Sequence, residues 1–310
     1  MLMDSFSGNK TFRIVLIADR PEEIEEQLLK RKIDLAVKIP PDFARMIRMG
    51  ETAGIQVLVD GSMSNMAGVR ISYANTVIED LNQELIRELH PFNMNYRRVD
   101  ARIRTWYNPN LYSQNFFVPG IVAFLIMILT LLLTSMAIIK EKEAGTMEQL
   151  IVTPMKPSEL ILGKTIPYIL IALAQMIAVT IFAVYWFEIP LAGSLALLFL
   201  STSLFLLSTL GTGLFISTIS KTQQQAMMTT FFFVLPFFML SGFVFPIENM
   251  PVEVQWLTYL NPLRYFLIVI RGIFLKGVGF HQLWHQLFAM TILGASVFTG
   301  AVWRFEKRLD

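Results

Sequence analysis

The residues whose spacing comes nearest to a reaction are Ser158-Glu-Leu-Ile-Leu-Gly163-Lys164-Thr165. They follow the phosphate-loop pattern G-x-x-x-x-G-K-[ST] except at the first position. There Ser158 replaces the glycine that lets backbone amides wrap a phosphate closely. No apolar strand ending in Asp follows to hold magnesium; a long apolar run does. The segment therefore reads as no nucleotide site, and the chain is not expected to hydrolyse ATP itself. Other chemistry is sparse. Absence of Cys excludes disulfides, thiolate catalysis and Cys-based zinc sites. His90 falls at the end of a helical pattern, as a cap or surface residue would, and no catalytic or metal-ligating constellation forms around it. Gln175 is the clearest polar residue near the centre of an apolar run. It either borders a substrate pathway or bonds a neighbouring helix.

The elements that must position these residues are mostly membrane-embedded. Of 310 residues 54% are apolar and 16% charged, with mean hydropathy +0.52; a soluble globule is about one quarter charged. The charges are uneven, 30 in residues 1–115 and 20 in the remaining 195. Residues 1–115 thus form a water-soluble domain and 116–310 a membrane domain. A net charge of +2 without a basic stripe gives no reason to expect a nucleic-acid partner. Five apolar runs are long enough to cross a bilayer: Phe116–Ile139, Thr165–Phe187, Ile189–Ile219 (with a turn), Ala226–Ile247, and Gly277–Trp303 with its true start near Leu283. Lys140, Lys142, Lys156, Lys164, Lys221, Arg304, Lys307 and Arg308 collect on one side, against Arg264, Arg271 and Lys276 on the other. The excess of basic residues puts the C-terminus and loop 140–164 in the cytoplasm and residues 1–115 outside. An exported domain needs something to lead it across, and Met1–Lys10 is not a signal peptide. A sixth span before Met1, placing both termini inside, is the expectation.

Residues 1–115 alternate helical and strand patterns. Strands are expected at Thr11–Ala18, Ile33–Ile39, Ile55–Val59 and Arg97–Tyr107, with a helix over Pro21–Lys32. A long helix should follow the Asp60-Gly61 turn, capped by Ser62 or Ser64 and running to about Leu89. This is a small α/β domain. In loop 140–164, Gly145-Thr146 breaks one helix and caps another over Met147–Val152, Pro154 and Pro157 stop it, and Ser158 caps the next. Such an amphipathic piece fits a docking knob for a cytoplasmic partner and equally an ordinary interfacial loop. Segment 247–276 is too apolar for a solvated loop, and Trp256, Tyr259 and Tyr265 suit interfacial anchoring, with substrate gating the alternative. Phe231–Phe233 and Phe237–Phe238 suit lipid contact or a hydrophobic substrate. Ser203, Ser208, Thr209, Gly211, Thr212 and Gly213 make the third span rich in small residues, which favours close helix packing.

Two segments resemble a known family. The run from Glu141 to Pro154, EKEAGTMEQLIVTP, is similar to the E-[KR]-E-x-G-T-x-E-x-L-x-x-[ST]-P signature of ABC-2 type exporter permeases of the multidrug-efflux kind. Asn261–Gly277, NPLRYFLIVIRGIFLKG, resembles the segment before that family's last span. The resemblance covers essentially the whole chain and implies a polytopic α-helical membrane protein with an extracytoplasmic α/β domain. Six spans are expected in the family, of which five lie in this chain. It implies a bacterial inner-membrane permease that binds no cofactor, pairs with a second permease subunit, and is driven by cytoplasmic ABC ATPase subunits carrying ATP and Mg. A periplasmic adaptor is a further partner the family suggests. Coupling to the ATPase falls on Glu141, Glu143, Gly145, Thr146, Glu148 and Pro154. Asn261, Pro262, Arg264, Arg271 and Gly272 fall in a re-entrant or interfacial helix pair. An amphiphile, drug or lipid is the expected substrate. The other readings of the residues alone are a membrane-anchored sensor that binds a partner, which would not need a docking helix between its spans, and a secondary transporter, which would need inverted repeats around a polar midplane site.

Overall fold

A computed structural model describes residues 6, 12–18, 20–30, 32–49, 51–89, 99–145 and 157–306. It divides into two units, Met1–Phe116 and Phe117–Asp310. In the first, helix α1 (Pro21–Leu29) opens with proline and Glu22 and Glu23, residue types that suit a helix start. Then come β1 (Leu35–Lys38), α2 (Phe43–Met49), β2 (Ala53–Asp60), α3 (Ser64–Leu89) and β3 (Val99–Trp106). Strand β2 is central, pairing antiparallel with β1 (Leu35 opposite Val59) and parallel with β3 (Ala53 opposite Val99). Ile55, Val57 and Val59 lie on one face, as a period of two dictates. They are buried with Ala67, Ala74, Val77, Ile78, Leu81 and Leu85, which recur along α3 at helical spacing. Asn82 closes this core by acting as a backbone stand-in. Its Oδ1 accepts from Val99 N–H at 2.7 Å and its Nδ2 donates to Val99 C=O at 3.2 Å.

Two expectations fail here. Residues 12–18 join no ladder, and Val15 and Ile17 are each 68% exposed. The β-preference of that run expresses itself only beside a strand that takes up its backbone groups, and no described strand lies there. The hydroxyl cap on α3 is also missing. Ser62 Oγ and Ser64 Oγ are buried without a hydrogen-bond partner, and the nearby turn is held by Asp60 Oδ1 accepting from Ser62 N–H at 2.9 Å. At the end of β3, Tyr107 takes φ +67 and Asn108 turns the chain. Asn108 Oδ1 accepts from Tyr112 N–H (3.1 Å) and Asn115 Nδ2 (3.0 Å).

The second unit is helical: α4 (Ser113–Glu143, begun in the first unit), α5 (Pro157–Tyr185), α6 (Leu195–Ile219), α7 (Gln223–Met239), α8 (Val252–Thr258), α9 (Pro262–Arg271) and α10 (Phe280–Glu306). Among the described residues, four helical segments are long and apolar enough to cross a membrane: Ser113–Glu141, Gly163–Tyr185, Leu195–Ile219 and Phe280–Arg304. The run expected as a span over Ala226–Ile247 is helical only to Met239, giving 17 residues in α7, or about 25 Å at 1.5 Å per residue. Gly242, at φ +81, turns the chain there, and a short 3-10 turn (Ile247–Asn249) follows Pro246. The last span begins at Phe280 rather than near Leu283. Helix α5 begins at Pro157, one residue before the expected Ser158 cap, a favoured place for proline.

Helices α6 and α10 pack more extensively than any other pair, because small residues let their backbones meet. A Cβ on Gly211 would lie 2.7 Å from the Phe298 nitrogen, and one on Gly294 would lie 2.9 Å from Leu207 Cβ. The hydroxyls of Ser201, Thr202, Thr209, Thr212 and Ser217 donate to carbonyls of the preceding turn of α6, so these five are satisfied within the helix, whereas Ser208 Oγ is buried without a partner among the described residues. Gly300 on α10 is different, since an added Cβ there has no heavy atom within 4 Å. Gly211→Ala should therefore lower the thermal unfolding temperature in detergent, by a clash worth about 1–3 kcal/mol. Gly300→Ala should leave it unchanged or raised, by up to about 1 kcal/mol of helix propensity.

Candidate functional site

Helix α4 carries the charged run Lys140–Glu143 as its last turn, and Gly145 at φ +72 follows its end, the left-handed conformation glycine adopts without steric cost. The last turn of α4 carries two of the expected coupling residues, and each reaches a different helix. Glu141 Oε1 pairs with Lys164 Nζ of α5 at 2.7 Å, both side chains about one third exposed or less. Glu143 turns to α7: Oε1 accepts from the Gln223 backbone N–H at 3.0 Å, and Oε2 accepts from Gln223 Nε2. These two bonds, the side-chain one first, hold the Glu143 carboxyl below its usual range. Thr146, Glu148 and Pro154, with the helix expected at Met147–Val152, lie outside the described residues. Residues 158–165, the near-match to a phosphate loop, lie in the opening turns of α5. A helix directs its amides along its axis and cannot fold them around a phosphate.

Glu143 adds to a capping arrangement the sequence reading missed. Thr222 precedes α7, and its Oγ1 accepts from Gln225 N–H at 3.1 Å, while Gln225 Oε1 accepts from Lys221 N–H at 2.8 Å. Thr-x-x-Gln is the spacing of a capping box, visible in TQQQ had it been read as a helix start rather than as part of a turn. Further along α7, Thr230 Oγ1 bonds Ser135 Oγ of α4 at 2.9 Å. Ile139, Ile216 and Ala226 form a buried apolar contact among α4, α6 and α7.

The second motif segment holds the other end of α7. Asn261 is buried; its Oδ1 accepts from Leu263 N–H at 3.0 Å, capping α9, and its Nδ2 donates to Phe237 C=O at 2.6 Å. That carbonyl is one of the last four of α7, which have no partner within the helix. Pro262 occupies the first position of α9. Arg264 stacks on Tyr259 at 4.1 Å and bonds Thr258 Oγ1. Arg271 is only 3% exposed, its guanidinium 5.7 Å from the Phe243 ring. Gly272 begins a π turn (Gly272–Lys276), and a Cβ there would meet Val278 at 2.8 Å. Phe266 of α9 stacks on Phe205 of α6 with centroids 4.3 Å apart. Gln175 lies half-buried on α5, and among the described residues no hydrogen bond joins it to another helix. Trp256 and Tyr259 are exposed, as anchoring side chains would be.

Comparison with known proteins decides the family. The model of the ABC-2 family transporter protein matches residues 1–304. The chain belongs to the ABC-2 family. It is 35% identical over 308 residues to a probable multidrug ABC transporter permease, YbhR of Escherichia coli K12, a match covering 99% of this chain and 83% of that protein. It is 36% identical over 305 residues to a second protein so named, YbhS, covering 95% and 78%. It is 30% identical over 296 residues to the inner membrane transport permease YhhJ, covering 93% and 77%. This ABC-2 member is thus a multi-pass transmembrane permease subunit of an ABC exporter, with ATP hydrolysis assigned to a separate subunit. The sensor and secondary-transporter readings are set aside.

Two measurements check the geometry. A double-mutant cycle on Glu141→Ala and Lys164→Ala should give a coupling of about 1 kcal/mol or less, as for partly exposed ion pairs. A lowered pKa in the folded state means that the Glu143 contact is complete at neutral pH and is lost as pH falls through that lowered value. Glu143→Gln should therefore reduce unfolding temperature by the same amount from about pH 6 to 8, with the difference shrinking once pH enters the carboxylate range, around pH 4.

Proposed function

We propose that this permease lies in a bacterial inner membrane as one of a pair of identical or similar subunits, moving an amphiphilic substrate outward. Residues 1–115 lie outside, and loop 140–164 faces ABC ATPase subunits that bind ATP and Mg in the cytoplasm. The excess of basic residues in the sequence segments on one side of the apolar runs, eight against three, supports the orientation, and the name of the relative YhhJ supports the membrane. Gln175, the most central polar side chain of α5, borders the pathway, and an adaptor on the far side of the membrane would meet residues 1–115.

The observation that carries the mechanism is that the end of α4, from which the signature loop departs, is bonded to α5 through Glu141 and to α7 through Glu143. ATPase closure pressing on Glu141, Glu143, Gly145, Thr146, Glu148 and Pro154 would then displace α4, α5 and α7 together. Asn261 carries the displacement of α7 into α9, so the segment with Pro262, Arg264, Arg271 and Gly272 responds on the opposite side, as a re-entrant pair lining the exit. Each linkage is a paired or hydrogen-bonded side chain, and in this reading the transport cycle breaks and remakes it, as a two-state coupling element requires.

The test is co-purification of the full-length permease with the ATPase encoded beside it. We expect a stable complex whose ATPase activity falls about five-fold or more in the Glu141→Ala/Glu143→Ala variant. Failure to associate with any ABC ATPase would overturn the reading.

A further inference from the structure

Between α7 and the α6–α10 pair lies a groove of about 770 Å³, within the range of ligand sites, about 300–1,000 Å³. Its walls are Phe233 and Phe237 of α7, Phe215 of α6, and Gly300, Trp303 and Arg304 of α10. Its two hydroxyls are already committed, Thr212 to Ser208 C=O and Ser296 to Leu293 C=O, at 2.8 and 2.9 Å. What remains is an apolar trough with one cation at the end of a membrane span. Arg304 stacks on Phe215 at 5.4 Å, and among the described residues no carboxylate pairs with it. Stacking uses the guanidinium face and leaves its in-plane N–H donors directed outward, the geometry that grips a phosphate.

We propose that this groove binds an anionic phospholipid of the surrounding bilayer, its acyl chain along Phe233 and Phe237 and its phosphate on Arg304. The argument is complementarity of both kinds. A zwitterionic lipid offers Arg304 a phosphate already balanced by the lipid's own ammonium, so the net attraction is weaker, and a soluble anion would not fill the aromatic trough. This goes beyond the transport reading and does not rest on it. The occupant sits against α7, so it would brace a helix whose described bonds to other elements include those at both of its ends.

Trp303 reports on the groove directly. The full-length protein would be placed in nanodiscs whose lipid carries dibrominated acyl chains, either phosphatidylglycerol or phosphatidylcholine at the same mole fraction. Quenching at Trp303 is the difference between the native protein and Trp303→Phe. We expect phosphatidylglycerol to quench with about five-fold higher apparent affinity, the preference one basic residue confers near an anionic surface. Arg304→Gln should abolish the preference. Gly300→Leu, which extends into open space, should reduce quenching by both lipids while circular dichroism and elution volume stay unchanged. Equal quenching by the two lipids would reduce the groove to ordinary bilayer contact. No quenching would mean that protein fills it. A preference surviving Arg304→Gln, or quenching unaffected by Gly300→Leu, would equally overturn the assignment.

Discussion

The first amides of a helix have no carbonyl one turn earlier to receive them, and its last carbonyls have no amide one turn later, so each end calls for an outside partner. At the start of α7 that constraint is met from two directions, by Thr222 within the turn and by Glu143 from the end of α4. At its other end the Phe237 carbonyl is met by Asn261. Both donors of help belong to the motif segments, EKEAGT and NPL. A 17-residue helix is thereby held at each end by a polar side chain from elsewhere in the chain.

The rest of the membrane unit divides around this arrangement. Helices α6 and α10 meet backbone to backbone across Gly211 and Gly294, and dense contact of that kind tolerates little sliding. Helix α9 joins them through the stacked Phe205 and Phe266. Helix α7 stands apart from α10 across a groove wide enough for a ligand, and among the described residues its lateral contacts include Thr230 with Ser135, Phe238 with Phe124 of α4 at 4.5 Å between ring centroids, and a small apolar cluster around Ala226. An element bonded at its ends and lightly packed along its sides can shift as a body when one end is moved. In the proposed cycle this gives the signature segment mechanical access to the far side without any charge crossing the apolar region.

Properties that belong to one element were legible in the sequence. Gly145 ends a helix because of its own conformational freedom, Pro262 begins one because its missing N–H costs nothing there, and Ile55, Val57 and Val59 share a face because strands alternate. Properties that need a neighbour were not. Thr11–Ala18 has the composition of a strand, yet residues 12–18 join no ladder and 13–17 are exposed. Ser62 and Ser64 were chosen as caps by residue type, whereas the Asp60 carboxylate holds that turn. The α7 span was drawn too long because hydropathy registers Ser241–Phe245 as apolar without registering the turn at Gly242. Of the candidate site, Glu143 was singled out by resemblance, but its partner Gln223 is 80 residues away, and a single sequence offers no signal for such a pairing. Lys164 was noted as a loop cation and as part of a rejected phosphate loop; its pairing with Glu141 needed the fold.

The central claim is that Glu143 fixes the end of α4 to the start of α7. Spin labels on Ala144 and Lys221, both exposed, flank the contact without replacing it, and the absence of native cysteine makes the labelling clean. Distance distributions would be measured in the assembled full-length transporter, with and without Glu143→Ala. The account predicts a single narrow distance that broadens and lengthens when the carboxylate is removed. An identical distribution in both proteins would contradict it.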